Sequence, residues 1–243
     1  MTSEAYEIIP GDAASGLLFV ADHASRAIPA DIDLGICETV LDRHVAIDIG
    51  VDPLTRLLAR RFGAPGIVAR ISRLVIDLNR EEGAHGLIPH ASDGIDIPGN
   101  TALSASQRVA RIARFHHAYH AAIERLIAQG RPRLLVSVHS FTPALETRPG
   151  EARPWQIGIL YNGDDRAARL AIPLLRDAGW TVGDNEPYSG RVLNYTMNRH
   201  AEGNGIPYLG LEIRQDQLAS HQGVEDWAGH LGPIVAKVRD AFS

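Results

Sequence analysis

The sequence predicts a single α/β domain of three layers, in which helices flank a mixed, largely parallel sheet. Short apolar runs of the kind that are buried in parallel sheets alternate with longer segments of helical periodicity along the chain. No internal repeat, low-complexity segment or linker interrupts this alternation. We therefore expect one catalytic domain that spans residues 1–243.

Five apolar runs predict the main strands of the sheet. In chain order they are Gly16 to Ala21, Ile67 to Ile76, Arg133 to Val138, Gln156 to Tyr161 and Pro207 to Ile213. A shorter run, Trp180 to Val182, is a candidate for one further strand. Polar residues follow several of these runs directly, and open α/β sheets collect their functional groups at the carboxyl ends of strands.

Apolar residues at helical spacing predict the helices of the outer layers. The predicted helices are Leu41 to Phe62 (which Pro53 either kinks or divides), Ser104 to Gln129, Asp165 to Ala178, Asn194 to Asn204 and Glu225 to Phe242. Between them, Glu81 to Thr101 shows no periodicity and is predicted to be a long loop. Loops of about 20 residues inside a compact domain usually carry function.

Composition excludes several classes of protein. The chain has 243 residues, a hydrophobic content of 45% and a formal net charge of -5, which disfavours a nucleic-acid-binding surface. Its one cysteine, Cys37, excludes a disulfide framework. No apolar run approaches the roughly 20 residues that span a bilayer. Met1 to Pro10 lacks the pattern of a signal peptide, so we expect a cytoplasmic protein.

Two histidines at strand ends predict a metal site. His23 closely follows the first predicted strand, and His139 directly follows the third. Neutral imidazoles are good zinc ligands, and catalytic zinc usually has three protein ligands and one open position. A single histidine at a strand end is more often structural, whereas two of them point to a shared metal ion.

The third ligand is chosen from several acidic and histidine side chains. His44 and Asp48 are four residues apart on a predicted helix, so they share one face of it. We expect Asp48 to complete the site, because two imidazoles and one carboxylate form a common catalytic set. The alternatives that the sequence leaves open are His44, Asp22, Asp42 and Asp52.

Glu212 is the candidate general base, because it is an acidic residue late in an otherwise apolar strand. A structural salt bridge to an arginine is the alternative. Three arginines form a candidate cationic set for an acidic substrate or an oxyanion: Arg73, Arg80 and Arg214. His116 and His120 are also four apart on a helix, but no glutamate in the metalloprotease arrangement lies between them. We expect these two to pack in the core or to line the substrate site.

Five short motifs, taken together and in order, resemble the N-formylglutamate amidohydrolase family. They are D-H-A-S at Asp22 to Ser25, S-R-L-V-I-D-L-N-R at Ser72 to Arg80, V-H-S-F at Val138 to Phe141, N-E-P-Y at Asn185 to Tyr188 and L-E-I-R-Q-D at Leu211 to Asp216. The resemblance implies a phosphorylase/hydrolase-like fold, similar to the zinc carboxypeptidases, with one Zn²⁺ ion. It also implies hydrolysis of the N-acyl bond of an acidic amino acid such as N-formyl-L-glutamate.

The same resemblance implies roles for single residues. His23 and His139 match the metal histidines of the family, and Glu212 matches its catalytic carboxylate. We expect Arg73 to assist catalysis. The residues expected to contact the substrate are the pair Asn79 and Arg80, together with Arg214, Ser140 and Tyr188.

The chain departs from its relatives at two places. Arg26 stands where the carboxypeptidases have a glutamate three residues after the first metal histidine. D-H-A-S and N-E-P-Y-S-G-R replace the P-H-S-G and N-x-P-F-K-G-G-Y that are typical of amidohydrolases in histidine catabolism. Two other functions therefore stay open: a carboxypeptidase-like hydrolase of a peptide or cell-wall fragment, and a metal-free binding protein.

Overall fold

A seven-stranded sheet lies at the centre of the computed structural model, which describes residues 4–242. The strands in chain order are β1 (Tyr6–Ile9), β2 (Leu17–Ala21), β3 (Gly66–Ala69), β4 (Ala91–Ser92), β5 (Ile95–Asp96), β6 (Leu134–Phe141), β7 (Ile157–Leu160), β8 (Val182–Asp184) and β9 (Tyr208–Arg214). Of these, β4 and β5 form a separate two-stranded ribbon. The predicted domain also includes residues 1–3 and 243, which lie outside the described residues.

Helices flank the sheet. They are α1 (Val51–Phe62), α2 (Pro98–Thr101), α3 (Ala105–Arg111), α4 (Ala118–Gly130), α5 (Arg166–Asp177), α6 (Tyr195–His200) and α7 (His221–Asp240). A π-helical turn, Ile112–His117, joins α3 to α4. Helix α7 contacts both α1 and α5, and these two helices contact strands of the sheet. This architecture confirms the predicted fold class. None of the described helices is long and apolar enough to cross a membrane.

The order of the strands is β1-β3-β2-β6-β9-β7-β8. The four strands β3, β2, β6 and β9 are mutually parallel, whereas β1 and β7 run antiparallel to their neighbours β3 and β9. The carboxyl ends of β2, β6 and β9 therefore lie side by side at one edge of the sheet. Side chains at these ends can meet although they are far apart in sequence.

The predicted strand at Leu74-Val75-Ile76 is wrong. These residues are buried, but the segment turns, and the amide of Val75 donates to the carbonyl of Ser72 at 2.9 Å. At its start the amide of Ser72 donates to the carbonyl of Ala27 at 2.8 Å. An apolar run reports burial, and burial alone does not distinguish a strand from an irregular segment that packs in the core.

The predicted helix Leu41 to Phe62 is also wrong in its first half. A helix begins only at Val51, so Pro53 lies in its first turn, where proline removes no intrahelical hydrogen bond. His44 and Asp48 precede it in a turn-rich segment and share no helix face. Strand β6 in turn runs three residues past its predicted end, so His139 lies within the strand.

Candidate metal centre and pocket

His23, Asp48 and His139 meet in the interior, where they are 2%, 3% and 4% exposed. Oδ2 of Asp48 lies 3.3 Å from Nδ1 of His23 and 3.0 Å from Nδ1 of His139. Ligands that surround zinc tetrahedrally at about 2.0–2.2 Å are about 3.3–3.6 Å apart, close to these separations. These three side chains could therefore hold a metal ion.

Main-chain contacts bring Asp48 to the histidines. The amide of Asp48 donates to the carbonyl of His23 at 3.0 Å, which ties the turn before α1 to the end of β2. The hydroxyl of Ser72 donates to the carbonyl of Ala46 at 2.8 Å and anchors the following segment to the same turn. Asp48 thus reaches the predicted position, although the predicted helix that supported its choice does not exist.

Each imidazole is supported from behind by a second carboxylate. Nε2 of His23 lies 2.7 Å from Oδ1 of Asp77, and Nε2 of His139 lies 3.1 Å from Oδ2 of Asp22. At His23, a proton on Nε2 that is held by Asp77 leaves the lone pair of Nδ1 free for a metal. At His139 the carboxylate of Asp22 supplies negative charge, while the amide nitrogen of Asn79 also faces Nε2 at 3.2 Å. The donor set and its supporting carboxylates therefore fit a zinc ion.

Arg73 connects the carboxylates of this cluster. Its guanidinium donates to Oδ1 of Asp48 at 3.1 Å and to Oδ2 of Asp77 at 2.8 Å. One planar fork thereby holds both acids in register. Arg73 also lines the pocket described below.

The pKa values of the cluster follow from its charges. Burial opposes ionisation of Asp48, but the positive charges of His23, His139 and Arg73 outweigh it and lower the pKa of this carboxyl. Burial also disfavours a charged His139, yet its hydrogen bonds to Asp22 and Asp48 raise the pKa of the imidazole well above its ordinary value. The carboxylates thus dominate the cluster and favour a cation within it.

Glu212 lies directly beside His139, because the two residues are register partners in the parallel strands β9 and β6. Its side chain is in the wall of the pocket, and the residue is 7% exposed. Buried Oε2 of Glu212 has no hydrogen-bond partner within residues 4–242. Burial, together with the charge of Asp48, raises the pKa of Glu212 to about 7. A carboxyl group poised near neutrality can accept and return a proton.

A pocket of ≈ 410 Å³ opens over this cluster, and most of the predicted substrate residues line it. Among these, Arg80 has a side chain that is one-third exposed, and its Nε lies 3.8 Å from Oδ2 of Asp77. The amide nitrogen of Asn79 lies 3.2 Å from Nε2 of His139, and its oxygen accepts from the backbone of Thr196 at 2.9 Å. Ser140 and Tyr188 are also in the wall.

Arg214 is placed elsewhere. Its guanidinium forms an ion pair with Asp216 at 2.8 Å and donates to backbone carbonyls of residues 153–155. It is not among the residues that line the pocket. The prediction that Arg214 binds substrate is therefore not supported, because its donors are already engaged at the sheet edge.

The other candidate ligands do not belong to the group formed by His23, Asp48 and His139. Asp42 and Asp52 form ion pairs with arginines, and Asp22 stands behind His139. Nε2 of His44 lies in the pocket wall, 3.0 Å from a carboxylate oxygen of Asp93.

His116 and His120 are fully buried and are not among the residues that line the pocket, as the packing alternative expects. A second group, formed by Glu82, His116 and His117, could also hold an ion. Two of its members are half exposed, and Glu82 and His117 pair with each other at 2.8 Å.

Sequence reasoning missed two residues of the site. Asp77 belongs to the S-R-L-V-I-D-L-N-R motif, and its position beside Asn79 and Arg80 is the one local indication that it contributes to the site. Arg153 lies in a loop rich in proline and glycine, and no local pattern distinguishes it from the other arginines. It nevertheless lines the pocket.

Comparison with known proteins identifies relatives of this arrangement. A family model described as N-formylglutamate amidohydrolase matches residues 15–219. The crystal structure of gene product Atu2144 from Agrobacterium tumefaciens is 32% identical, with a TM-score of 0.91 over 98% of this chain and 96% of that one. The N-formylglutamate amidohydrolase from Ralstonia eutropha JMP134 is 20% identical, with a TM-score of 0.71 over 99% and 98% of the two chains, and shares the fold. No curated protein gives a significant match.

Proposed function

This chain belongs to the N-formylglutamate amidohydrolase family, and on that premise we propose that it is a Zn²⁺-dependent hydrolase of N-acyl amino acids. The substrate class is an acidic amino acid with a small acyl group, such as N-formyl-L-glutamate. The proposal rests on the convergence of Nδ1 of His23 and Nδ1 of His139 on Asp48, beside Glu212, whose buried Oε2 has no hydrogen-bond partner within residues 4–242. We propose that the partner is a small molecule and that the protein acts in the cytoplasm. We propose neither a nucleic-acid partner nor a membrane partner.

His23, Asp48 and His139 would hold the metal. Bound zinc supplies a Lewis acid that polarises the scissile carbonyl and lowers the pKa of water. Asp77 keeps the Nε2 proton of His23 in place, Asp22 places a negative charge 3.1 Å from Nε2 of His139, and Arg73 fixes the carboxylates of Asp48 and Asp77. Arg73 is expected to assist catalysis, and in this proposal it does so by positioning these two carboxylates.

Glu212 is the proton carrier in this mechanism. As a carboxylate it accepts a proton from the attacking water while the new C–O bond forms. It then gives that proton to the amide nitrogen as the C–N bond breaks, so that the products are a carboxylic acid and a free amine. The raised pKa of Glu212 suits both steps, since a group near neutrality gains and loses a proton with little cost.

Arg80 is the proposed receptor of the α-carboxylate. Its exposed guanidinium has no hydrogen bond to a carboxylate in the part of the chain that the structure describes, because its approach to Asp77 is 3.8 Å. A planar fork binds a carboxylate through two parallel hydrogen bonds. Asn79 keeps its amide between His139 and Thr196 and shapes the floor beside Arg80.

Zinc reconstitution and a substrate panel test the proposal. The protein is stripped with chelator, its metal content is measured, and hydrolysis is followed after addition of Zn²⁺ or, as a control, Mg²⁺. The panel contains N-formyl- and N-acetyl-amino acids, peptides with a free carboxyl terminus, and cell-wall peptides. Zinc-dependent release of formate or acetate is the expected result. Hydrolysis of peptides alone would support the carboxypeptidase-like alternative, and binding of acidic ligands without metal or turnover would support the binding protein.

A further inference from the structure

Arg153 is a buried cation without a counter-ion. It is 8% exposed, yet it forms no ion pair with an aspartate or glutamate anywhere in residues 4–242. Its hydrogen bonds both start at Nη1, which donates to the hydroxyl of Tyr188 at 2.9 Å and to the carbonyl of Thr142 at 3.3 Å. Nε and Nη2 have no acceptor among the described residues.

The neighbouring arginines of the pocket differ in this respect. Arg73 donates to Asp48 and Asp77, and Arg148 is mostly exposed and lies 3.5 Å from Glu151. The ring face of Tyr188, 4.9 Å from Cζ of Arg153, offsets part of the cost of burying this charge, as do the two hydrogen bonds at Nη1. Arg111 is equally buried without an ion pair among residues 4–242, but it does not line the pocket. A pocket that retains such a cation is arranged for an anion that arrives with the ligand.

Arg153 and Arg80 line the same pocket from different parts of the chain. Arg80 follows Asn79, whose amide nitrogen lies 3.2 Å from Nε2 of His139. Arg153 precedes β7, and because β7 is antiparallel to β9, its start lies beside the end of β9, with Ile157 paired to Ile213. A substrate in this pocket is therefore exposed to both guanidinium groups.

Tyr188 lies beside Arg153 in the wall of this pocket. The loop that carries it packs its Glu186 carbonyl against Gly158 and Gly183, where an added Cβ would approach that oxygen to 2.0 and 2.5 Å. The absence of side chains there lets the loop fold back over β7 and β8. The hydroxyl of Tyr188 accepts from Arg153, so its own proton is available, and burial raises its pKa above the ordinary value.

We propose that Arg153 and the Tyr188 hydroxyl form a second anion subsite, which binds the side-chain carboxylate of the substrate and selects dicarboxylic N-acyl amino acids. Arg80 then binds one carboxylate and Arg153 the other. This inference rests on the proposed function for its catalytic readout, while the binding of a dicarboxylate does not depend on turnover.

The test compares two isosteric substrates, N-formyl-L-glutamate and N-formyl-L-glutamine, in the zinc-loaded wild type and in Arg153→Met. Truncating one partner of a buried charge pair should lower kcat/KM for the glutamate substrate by about 10²-fold or more. The glutamine substrate should be little affected. Arg153→Lys, which keeps the charge but not the fork, should restore part of the preference. Arg176→Met removes an exposed arginine of α5 and serves as the matched control.

Binding of glutarate and of its monoamide, measured by calorimetry on the same proteins, separates the two proposals. Equal losses on both substrates, or a wild type that does not distinguish them, would overturn the subsite and leave the hydrolase intact. If no N-acyl amino acid is cleaved, the proposed function fails and calorimetry decides alone: glutarate binding that depends on Arg153 supports the subsite, and its absence overturns it. Should Arg153→Met not fold, Tyr188→Phe removes one donor of the subsite and must weaken the glutamate preference.

Discussion

The domain contains two pairs of buried histidines, and the two imidazoles of each pair lie close together. The two pairs differ in their hydrogen-bond partners. In the metal-centre pair, His23 and His139, each Nε2 faces a carboxylate, at 2.7 and 3.1 Å. In the core pair, His116 and His120, each Nε2 donates to a backbone carbonyl of the segment 78–80, at 2.9 Å. The residue type and the degree of burial are the same, so the partner alone distinguishes the two pairs.

The partners reverse the electrostatics. Although burial favours neutral imidazole in both pairs, carboxylates raise the pKa values of His23 and His139. Burial without such carboxylates lowers the pKa of His116, and it lowers that of His120 to about 2. The metal-centre pair is therefore suited to a cation, whereas the core pair holds the segment that carries Asn79 and Arg80 in place. Burial of a histidine alone therefore does not indicate a metal site, and a supporting carboxylate is the feature that metal-ligating histidines usually share.

The largest effect is expected from His139→Ala. Loss of one imidazole should remove the metal together with its several kcal/mol of transition-state stabilisation, so that activity falls by about 10³-fold or more. The matched variant His120→Ala should keep its metal per folded molecule and lose stability instead. Metal content and specific activity of both variants are the measurements. Full occupancy in His139→Ala would erase the distinction between the pairs.

Glu212→Gln tests the group that the metal-centre pair serves. The change preserves size and hydrogen bonding but removes the basic carboxylate. We expect a folded, zinc-loaded protein whose kcat is lower by about 10²–10⁴-fold. Turnover at the wild-type rate would exclude the proton-transfer role. Loss of zinc would instead make Glu212 a ligand and put the assignment of Asp48 in doubt.

Asp77→Asn makes His23 resemble a member of the core pair, because an amide replaces its supporting carboxylate. Removal of such a partner typically costs 10–100-fold in metal affinity, so a weakening of about that size is expected. Competition with a chromogenic zinc chelator measures it. The control is Asp216→Asn, which removes an exposed carboxylate that accepts hydrogen bonds from Arg214 and Gln217. Equal affinity in Asp77→Asn and wild type would show that the carboxylate is not what distinguishes the pairs.

The smallest effect concerns pH and the core pair. Burial lowers the pKa of His200, the hydrogen-bond partner of His120 at 2.8 Å, to about 4. In the unfolded chain both imidazoles have a pKa near 6.5. At pH values between 6.5 and the lowered pKa values of His120 and His200, the unfolded chain binds more protons than the folded protein does, so the free energy of unfolding falls as pH falls. Each of His120 and His200 can contribute at most about 1.4 kcal/mol per pH unit. Zinc-loaded and metal-free protein are compared, since the metal-centre pair acts in the opposite direction when metal-free.

Urea unfolding at pH 7 and pH 5 measures this dependence. His200→Gln should flatten it, whereas the exposed His221→Gln should leave it unchanged. An undiminished slope in His200→Gln would show that His200 binds its proton as readily in the folded protein as in the unfolded chain.

The sequence predicted the sheet and the positions of its ends with fair accuracy. Leu17–Ala21, Leu134–Phe141 and Tyr208–Arg214 all overlap predicted strands, and they deliver the residues expected at the site. Continuous apolar runs are informative here because these strands are buried on both faces. The same logic failed at Leu74 to Ile76, where burial comes from packing of an irregular segment.

Asp48 shows where local reasoning reached the right place by the wrong route. The predicted helix face does not exist, and a backbone hydrogen bond to His23 brings the carboxylate to the centre instead. Arg153 shows the opposite case, in which nothing local marks a residue that the pocket sets apart. Both outcomes depend on contacts between segments that are far apart in sequence.

What the sequence determined by itself is the alternation of strands and helices and the supply of imidazole and carboxylate groups at strand ends. These follow from periodicity and residue type, which are local properties. Only the tertiary structure decided which histidines face carboxylates and which face carbonyl groups. It also decided that Arg153, and not the equally buried Arg111, lies in the wall of the pocket without an ion pair among residues 4–242. The hydrogen-bond partner of a side chain depends on the path of segments that are tens of residues away in sequence. A local sequence pattern indicates that a side chain is buried, but it does not indicate which groups the side chain contacts.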